Sequence, residues 1–196
     1  MATQVKQQRL ADRRQLIIKA AIPLIGQRGY YGFSIKSLAD TCGLSVPGVL
    51  HHFGSKEPIL MAVLDYRERS DFEAVWGGLP FRDAKKLEEF SLAEFKRLLR
   101  ATVVRNSTQP DILRVGSMLR IEALYPGHPA FDFFRDRNQR SLRTYTHMLT
   151  GKVTHPQVAA TQVIALMLGL EALWLGNPEL FDFVEQWDQG IERILG

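Results

Sequence analysis

Cysteine is almost absent from this sequence, and long apolar runs are missing altogether. The 196 residues include one cysteine, Cys42, so no internal disulfide framework can form and a reducing compartment suits the chain. The longest apolar candidate, residues 163–175, falls short of the roughly 18 residues that a membrane span needs and contains Glu171. The first ten residues are polar and basic and lack the apolar core of a signal peptide. We therefore expect a cytoplasmic protein with no membrane partner.

The sequence also lacks the patterns that accompany catalysis. No nucleophile–base pair, metal-ligand cluster or glycine-rich phosphate loop stands out, and repeats, low-complexity segments and convincing strands are missing too. Hydrophobic residues make up 45% of the chain, which is enough to build a packed core. We expect an all-α protein of about nine helices that is not an enzyme and that binds no metal or cofactor.

Positive charge is concentrated at the N-terminal end of the chain. Residues 1–56 contain eight lysines and arginines against two aspartates, a net charge of +6, whereas the whole chain carries +4. The remaining residues are therefore slightly acidic. A basic end of this kind favours contact with phosphates, although a solvated basic surface would give the same distribution.

Two short helical patterns joined by a glycine turn occupy residues 34–56, SIKSLADTCGLSVPGVLHHFGSK. Ser34 and Ser45 each have the chemistry of a helix N-cap, because a serine hydroxyl accepts a hydrogen bond from an unpaired backbone N–H. Gly43 stands where a left-handed turn residue is required, and Pro47 fits the first turn of the second helix. The spacing predicts a helix-turn-helix, although an ordinary corner between two helices would show the same pattern.

The residues in and around this helix pair resemble those of the TetR family of transcriptional regulators. The resemblance covers roughly residues 9–66, and beyond about residue 70 it rests on length and helical character alone. It implies a DNA-binding head whose second paired helix lies in the major groove, a homodimer that reads a palindromic operator, and a small-molecule effector. The matching residues are Ala20-Ala21, Arg28-Gly29-Tyr30, Ser34-Ile35, Leu38-Ala39, Cys42-Gly43-Leu44-Ser45, His52-Phe53 and Ser55-Lys56-Glu57.

In this interpretation the paired helices supply the base contacts, and their flanks supply contacts to phosphates. Val46 and Pro47 are short and apolar and suit thymine methyl groups, and Gly48 lets the backbone approach the DNA. His51 and His52 can donate to phosphate even when neutral, and the resemblance gives His52 that role. The predicted DNA-binding residues are Ser34, Lys36, Ser45, Val46, Pro47, Gly48, Leu50, His51, His52 and Lys56.

Two positions depart from the family pattern. Leu50 stands where the family commonly has a tyrosine that touches the DNA backbone; leucine cannot donate to phosphate, so it either touches a thymine methyl group or packs. Pro23 removes a backbone hydrogen bond inside the first helix and predicts a kink near residues 19–23. A metal site at the adjacent His51 and His52 is disfavoured, because neighbouring side chains on a helix point about 100° apart.

The domain organisation follows from breaks in the helical pattern. Gly77-Gly78-Leu79-Pro80 interrupts that pattern and predicts a domain boundary. We expect a helix-turn-helix DNA-binding domain over residues 1–56, a connecting helix over residues 56–76, and an effector-binding and dimerisation domain over residues 77–196.

Capping residues, prolines and apolar periodicity predict the individual helices. A loose arm precedes the first helix, and the last helix begins with Asn177 as its cap and Pro178 in its first position. The predicted helices span about residues 8–28, 35–42, 46–52, 56–76, 92–104, 110–125, 130–150 and 156–175, with a ninth that follows residue 177.

The last two helices carry apolar stripes that predict a dimer surface, although part of each stripe must also serve as core. The predicted interface residues are Val163, Leu166, Met167, Leu170, Trp174, Phe181, Val184, Trp187 and Ile191. The resemblance also implies a site for a small apolar or amphipathic effector, although plain core packing would equally explain the aromatic residues proposed for it. The candidate lining residues are Phe95, Leu99, Met118, Leu119, Glu122, Phe134, Tyr145, His147 and Trp174.

Two other classes of protein compete with a ligand-responsive repressor. One is an all-α enzyme or small-molecule-binding protein whose basic end is incidental. Cys42 gives it little support, because this residue is expected inside the turn of the helix pair as a structural side chain. The other is a dimeric scaffold without specific DNA binding. Steep salt dependence together with a preference for palindromic DNA would favour the regulator.

Overall fold

The computed structural model describes residues 2–77 and 83–196. Within these ranges the chain forms ten α-helices, one π-helical segment and no strand, so the all-α prediction is confirmed. The helices are α1 (Ala2–Gly32), α2 (Ile35–Cys42), α3 (Val46–Phe53), α4 (Lys56–Asp71), α5 (Ala84–Glu88), α6 (Leu92–Ser107), α7 (Pro110–Glu122), α8 (Phe131–Leu149), α9 (Pro156–Gly176) and α10 (Phe183–Leu195), and the π-helical segment Phe72–Trp76 follows α4.

The first helix differs from its prediction at both ends. It begins at Ala2, so most of the segment expected to be a loose arm is helical. Its one departure from helical backbone angles lies at Gly29, where φ is 68°, and not at Pro23. A proline removes one hydrogen bond but keeps a helical φ, so the helical angles at Pro23 are compatible with the kink predicted near residues 19–23. Gly29, just after the predicted end of this helix at residue 28, is the residue that leaves the helical conformation.

Two features of the chain after residue 83 were predicted wrongly or missed. The short α5 is an additional helix, capped by the Asp83 carboxylate, which accepts from the Lys86 backbone N–H at 3.3 Å. The last helix begins after Asp182 and not at Asn177. The Asn177 side chain still accepts a backbone N–H two residues on, at 3.2 Å, but there it closes a turn, which is the other common use of asparagine.

The described residues divide into two compact units. The first comprises residues 1–70 and 114–131, and the second comprises residues 71–113 and 132–196. Residue 114 lies inside α7, so this helix contributes to both units. The division differs from the domain boundary predicted near residue 77, because it places the end of α7 and the following loop with α1 to α4. Residues 78–82 of that predicted boundary lie outside the described residues.

The first unit is built around α1, α2 and α3, which pack on one another. Leu38 and Ala39 of α2 and Val49 of α3 are fully buried, and small Ala39 lets the two helices come close. The core of this unit includes Ile17, Ala21, Ile25, Phe33, Leu38, Ala39, Val49, Ile59, Leu60, Val63 and Leu64.

The second unit is built around α6, α9 and α10. Helix α10 buries one face at a spacing of four residues, Phe183, Trp187, Ile191 and Leu195, which is the periodicity of an amphipathic helix. Helix α9 is long and apolar enough, by length and composition alone, to cross a membrane. Of its most apolar 18-residue window 22% is buried within the described structure, where α9 packs against α10.

Candidate nucleic-acid interface

The helix pair is defined at each end by short-range hydrogen bonds. The Ser34 hydroxyl accepts from the Ser37 N–H at 3.0 Å, and the Ser37 hydroxyl lies 3.2 Å from the Ser34 N–H, which closes a reciprocal capping box. Gly43 ends α2 with φ 63°, and the Leu44 N–H donates to the Ala39 carbonyl at 2.9 Å. These bonds fix the turn that orients the second helix. Ser37 is the member of this network that the sequence analysis missed.

Helix α3 begins at a cap that leaves its first turn open to solvent. The Ser45 hydroxyl accepts from the Gly48 N–H at 3.1 Å. Val46 is 37% exposed, Pro47 is exposed, and Gly48 is half-buried. Because the opposite face of α3 is buried through Val49 and Phe53, the exposed first turn is held in one orientation.

The remaining predicted DNA contacts on α3 differ in exposure. His51 is exposed, whereas Leu50 and His52 are half-buried. Burial lowers the pKa of His52, and the positive charges of His51, Arg13 and Arg14 lower it further. The lowered pKa favours the neutral ring, which has one ring N–H to donate. The rings of His51 and His52 meet edge to face at 5.5 Å, and no group of three potential metal ligands was found within the described residues.

Lys36 is exposed on α2 and forms an ion pair with Asp40, which lies one helical turn further along. Its ammonium nitrogen lies 2.8 Å from the Asp40 carboxylate, and this hydrogen bond, with the charge of Asp40, raises the pKa of Lys36. Both side chains are largely in solvent, so the pair is weak and Lys36 can exchange the carboxylate for a phosphate.

Lys56 has a different environment from the one expected of a phosphate ligand. Its ammonium lies 4.6 Å from the Tyr30 ring centroid and 4.5 Å from that of Phe33, and it donates to the Tyr31 carbonyl at 3.4 Å. Burial lowers the pKa of Lys56, and the Glu122 carboxylate partly opposes that effect. Lys56 thus joins the start of α4 to the end of α1.

Arg14 is a residue that the sequence analysis counted only as charge. Its guanidinium lies 4.1 Å from the Phe53 ring centroid and donates to the His52 carbonyl. That carbonyl belongs to the last turn of α3, where unpaired carbonyls accumulate and a cation is favoured. Arg14 therefore fastens the C-terminal end of α3 to α1. The basic pair Arg13-Arg14 on the first helix was the available signal.

The candidate effector residues fall into both units. Met118, Leu119 and Glu122 belong to the first unit and the other six to the second. Glu122 accepts from the Tyr30 N–H at 2.8 Å, and His147 lies 3.2 Å from the Glu88 carboxylate, so each has a partner within the chain. Phe95, Leu99, Leu119 and Phe134 are buried, Tyr145 and Trp174 are half-buried, and Met118 is exposed.

A buried polar pair in the second unit was not anticipated. The Asn106 amide nitrogen donates to the Glu171 carboxylate at 2.8 Å, and the two residues are 7% and 3% exposed. Burial also raises the pKa of Tyr145 to about 12, and Glu171 adds to that rise whereas Arg137 opposes it. The charged residue inside the apolar run of α9 was the only sequence signal for this pair.

The predicted dimer residues are partly committed to the core of their own chain. Val163, Trp187 and Ile191 are 0–4% exposed, and Leu166, Met167, Leu170, Trp174, Phe181 and Val184 are partly buried against the same core. Buried side chains cannot contact a second copy unless the chain rearranges. The apolar residues that α9 presents to solvent are instead Val158, 55% exposed, and Leu173, 59% exposed.

Helices α2 and α3 bury the sides on which they pack, and the capped first turn of α3 is exposed. This arrangement is that of a helix-turn-helix protein. Residues 17–63 match the family model described as "Bacterial regulatory proteins, tetR family". This match covers the helix pair and its flanks, so the likeness to TetR-family transcriptional regulators is carried by residues 17–63.

The curated relatives match this chain over only part of their length. The chain is 29% identical over 113 residues to the HTH-type transcriptional repressor AcnR of Corynebacterium diphtheriae. These aligned residues cover 58% of this chain and 53% of AcnR. Matches to other curated regulators span as little as 19% of their length.

The likeness to solved structures spans nearly the whole chain. The structure of NalD, the secondary repressor of the MexAB-OprM multidrug efflux pump in Pseudomonas aeruginosa, has a TM-score of 0.69 at 22% identity and covers 94% of this chain and 95% of NalD. AibR, in complex with isovaleryl coenzyme A and operator DNA, has a TM-score of 0.73 at 19% identity and covers 93% of this chain and 98% of AibR. The fold is therefore shared along the chain.

Proposed function

We propose that this protein is a cytoplasmic transcriptional repressor that binds a palindromic DNA operator as a homodimer. The observation that carries the proposal is the capped first turn of α3, which is exposed while the opposite face of the helix is buried. The basic charge of residues 1–56 supplies attraction to the phosphates around it.

The exposed side chains of the helix pair divide by chemistry into two roles. Val46 and Pro47 present apolar surface at the start of α3, where it can meet thymine methyl groups and set sequence preference. Lys36 and His51 are exposed donors that can hold phosphates and set register. Leu50 is half-buried and has no polar atom on its side chain, so its role is packing.

Selection from a random duplex library with the full-length protein, followed by binding measurements over a salt series, tests this proposal. We expect a palindromic consensus whose half-site centres are about 34–36 Å apart or a multiple of that, and an affinity that falls steeply with salt. Lys36→Ala should weaken binding to every duplex, whereas Val46→Ser should change which sequence is preferred.

A matched control separates a local effect from a change in net charge. Lys85→Ala removes one exposed lysine from α5, outside the helix pair, and should leave operator affinity within about twofold of wild type. Binding that shows no sequence preference, or that Lys36→Ala and Lys85→Ala weaken equally, would contradict the assignment of the helix pair to DNA.

The dimer surface is assigned to the exposed side of α9. Val158 and Leu173 lie there with the small residues Ala165, Gly169 and Ala172, and no charged side chain is exposed on that helix. An uncharged helix face of this kind is suited to a second copy of the same helix.

Leu173→Glu should produce a monomer in analytical ultracentrifugation and abolish palindrome preference. Leu124→Glu, at an exposed leucine of the first unit, is the control.

The effector is assigned to the second unit as a small apolar or amphipathic molecule. Its binding would favour a dimer whose α3 helices are misplaced for DNA, so that the operator is released. Operator affinity should fall when the effector is added. Isovaleryl coenzyme A, the compound bound to AibR, is a first compound to titrate, followed by a panel of uncharged amphiphiles. An operator affinity that none of them alters would count against ligand control.

A further inference from the structure

We infer that Glu122, at the C-terminal end of α7, is a positioning residue. It holds the C-terminal end of α1 in the position that lets α2 and α3 bind the operator. This inference rests on the proposed function and extends it to a residue 92 positions from its partner Tyr30. Glu122 contacts Gly29 and Tyr30 of α1, and we place its action on α3 through Tyr30 and the residues packed on Tyr30.

The contact between Glu122 and α1 has two parts. The Tyr30 backbone N–H donates to the Glu122 Oε2 at 2.8 Å. A Cβ at Gly29 would lie 1.9 Å from the Glu122 Oε1 and 2.7 Å from its Cδ. The carboxylate therefore lies directly against the backbone at the break in α1, and a side chain at position 29 would displace it. Gly29 is also needed for its φ of 68°, which side-chain-bearing residues rarely adopt.

His128 lies beside the same carboxylate oxygen that accepts from Tyr30. Its Nδ1 accepts from the Ala130 N–H at 3.1 Å, so in the neutral ring the proton is on Nε2. Nε2 lies 3.5 Å from the Glu122 Oε2, and the imidazole is fully buried. The ring also meets the rings of Tyr30 and Tyr31 edge to face at 5.3 and 5.5 Å. Nε2 has no hydrogen-bond partner among the described residues, so His128 confines the Glu122 carboxylate by packing beside it.

Tyr30 passes the constraint towards the recognition helix. Its ring lies under the Lys56 ammonium, which also contacts the Phe33 ring and the Tyr31 carbonyl. Lys56 is the first residue of α4, and α3 ends at Phe53 only three residues earlier. The series Glu122, Tyr30, Lys56 therefore connects α7 to the C-terminal end of α3 within the first unit.

Substitutions at Glu122 separate positioning from charge. Removing a negative charge near the DNA should by itself tighten binding to every duplex, because it lessens repulsion of phosphates. Positioning predicts the opposite for the operator. Glu122→Ala should weaken operator binding about tenfold, while binding to a scrambled duplex changes by less than about threefold. Glu122→Gln keeps an oxygen that can accept from Tyr30 and should bind the operator nearly as wild type does.

Two further variants keep the test decisive. Glu122→Asp retains the charge but is one methylene shorter, so it withdraws from the Tyr30 N–H and should weaken operator binding as Glu122→Ala does. It replaces Glu122→Ala if that protein does not fold. Glu89→Ala removes an exposed carboxylate from the second unit and should leave operator binding unchanged.

Hydrogen exchange at the Tyr30 amide, measured without DNA, supplies a second readout. Exchange should be faster in Glu122→Ala and Glu122→Asp than in wild type, and close to wild type in Glu122→Gln. If wild type selects an operator and the shortened variants bind it equally well, the positioning role is overturned. If wild type selects no sequence, the proposed function fails, and unchanged Tyr30 exchange in the variants would then separately refute the Glu122 contact.

Discussion

The guanidinium of Arg14 lies 4.1 Å from the centroid of the Phe53 ring and at the same time donates to the His52 carbonyl. One side chain of α1 thus covers the last aromatic residue of α3 and satisfies a carbonyl of its final turn. A planar, delocalised cation is suited to both contacts, whereas the compact ammonium of lysine cannot stack.

Arg14→Lys should therefore destabilise the protein although it keeps the charge. We expect a loss of up to about 1 kcal/mol, because lysine keeps part of the cation–π attraction but not the stacked, simultaneous donation to the His52 carbonyl. Urea unfolding measures the loss. Arg9→Lys, at an exposed arginine of the same helix, is the control and should have little effect. Equal stability of the two variants would show that the stacking over Phe53 contributes nothing.

Gly43 should tolerate asparagine better than alanine. Its φ of 63° lies in the left-handed region, and nothing lies within 4 Å of a Cβ built there, so the effect of a substitution is conformational and not steric. Alanine should cost about 1–2 kcal/mol in the free energy of unfolding, and asparagine less, because it visits this region more readily. Thermal or urea unfolding of both variants checks the order. A stability loss from asparagine as large as that from alanine would contradict this account.

Asn106 and Glu171 should behave as a coupled pair. The amide donates to a buried carboxylate, and a hydrogen bond to a charged group contributes about 1.5–3 kcal/mol. Asn106→Ala and Glu171→Ala should each destabilise the protein, and the double variant should lose less than their sum. A double-mutant cycle in urea gives the coupling energy. Strict additivity would mean that this contact contributes no stability of its own.

Protonation of His128 should make the protein less stable in mild acid. Burial lowers the pKa of His128 below its usual 6.5, and Glu122 only partly opposes that shift. The neutral ring is therefore the form that the folded state favours. Its contribution is fully present above the unfolded pKa of 6.5 and is lost as the pH falls from there through the folded pKa.

The measurement compares urea midpoints at about pH 7.5 and pH 5.5, on either side of the unfolded pKa. His128→Asn should reduce the difference between the two midpoints. A residual difference is expected, because the pKa of His52 is lowered as well, and His52→Asn in addition should reduce it further. An unchanged pH dependence in His128→Asn would show that this imidazole does not titrate in the range.

The sequence alone determined the helix pair and most helix boundaries. Ser34, Gly43, Ser45 and Pro47 act through hydrogen bonds and backbone angles within three or four residues, so their roles follow from local chemistry. The prediction of α2 was correct at both ends for this reason. Local chemistry also explains the failure at Asn177, because asparagine closes a turn as readily as it caps a helix.

Only the tertiary structure decided which partners the charged side chains took. Tyr30 and Glu122 are far apart in the sequence, and nothing in the sequence indicates that they pair. The sequence likewise does not indicate that Lys56 lies over two aromatic rings instead of extending into solvent. It also decided which apolar residues of α9 and α10 became core. Apolar residues at helical spacing show that one face of a helix is apolar. Which surface covers that face depends on how the whole chain packs.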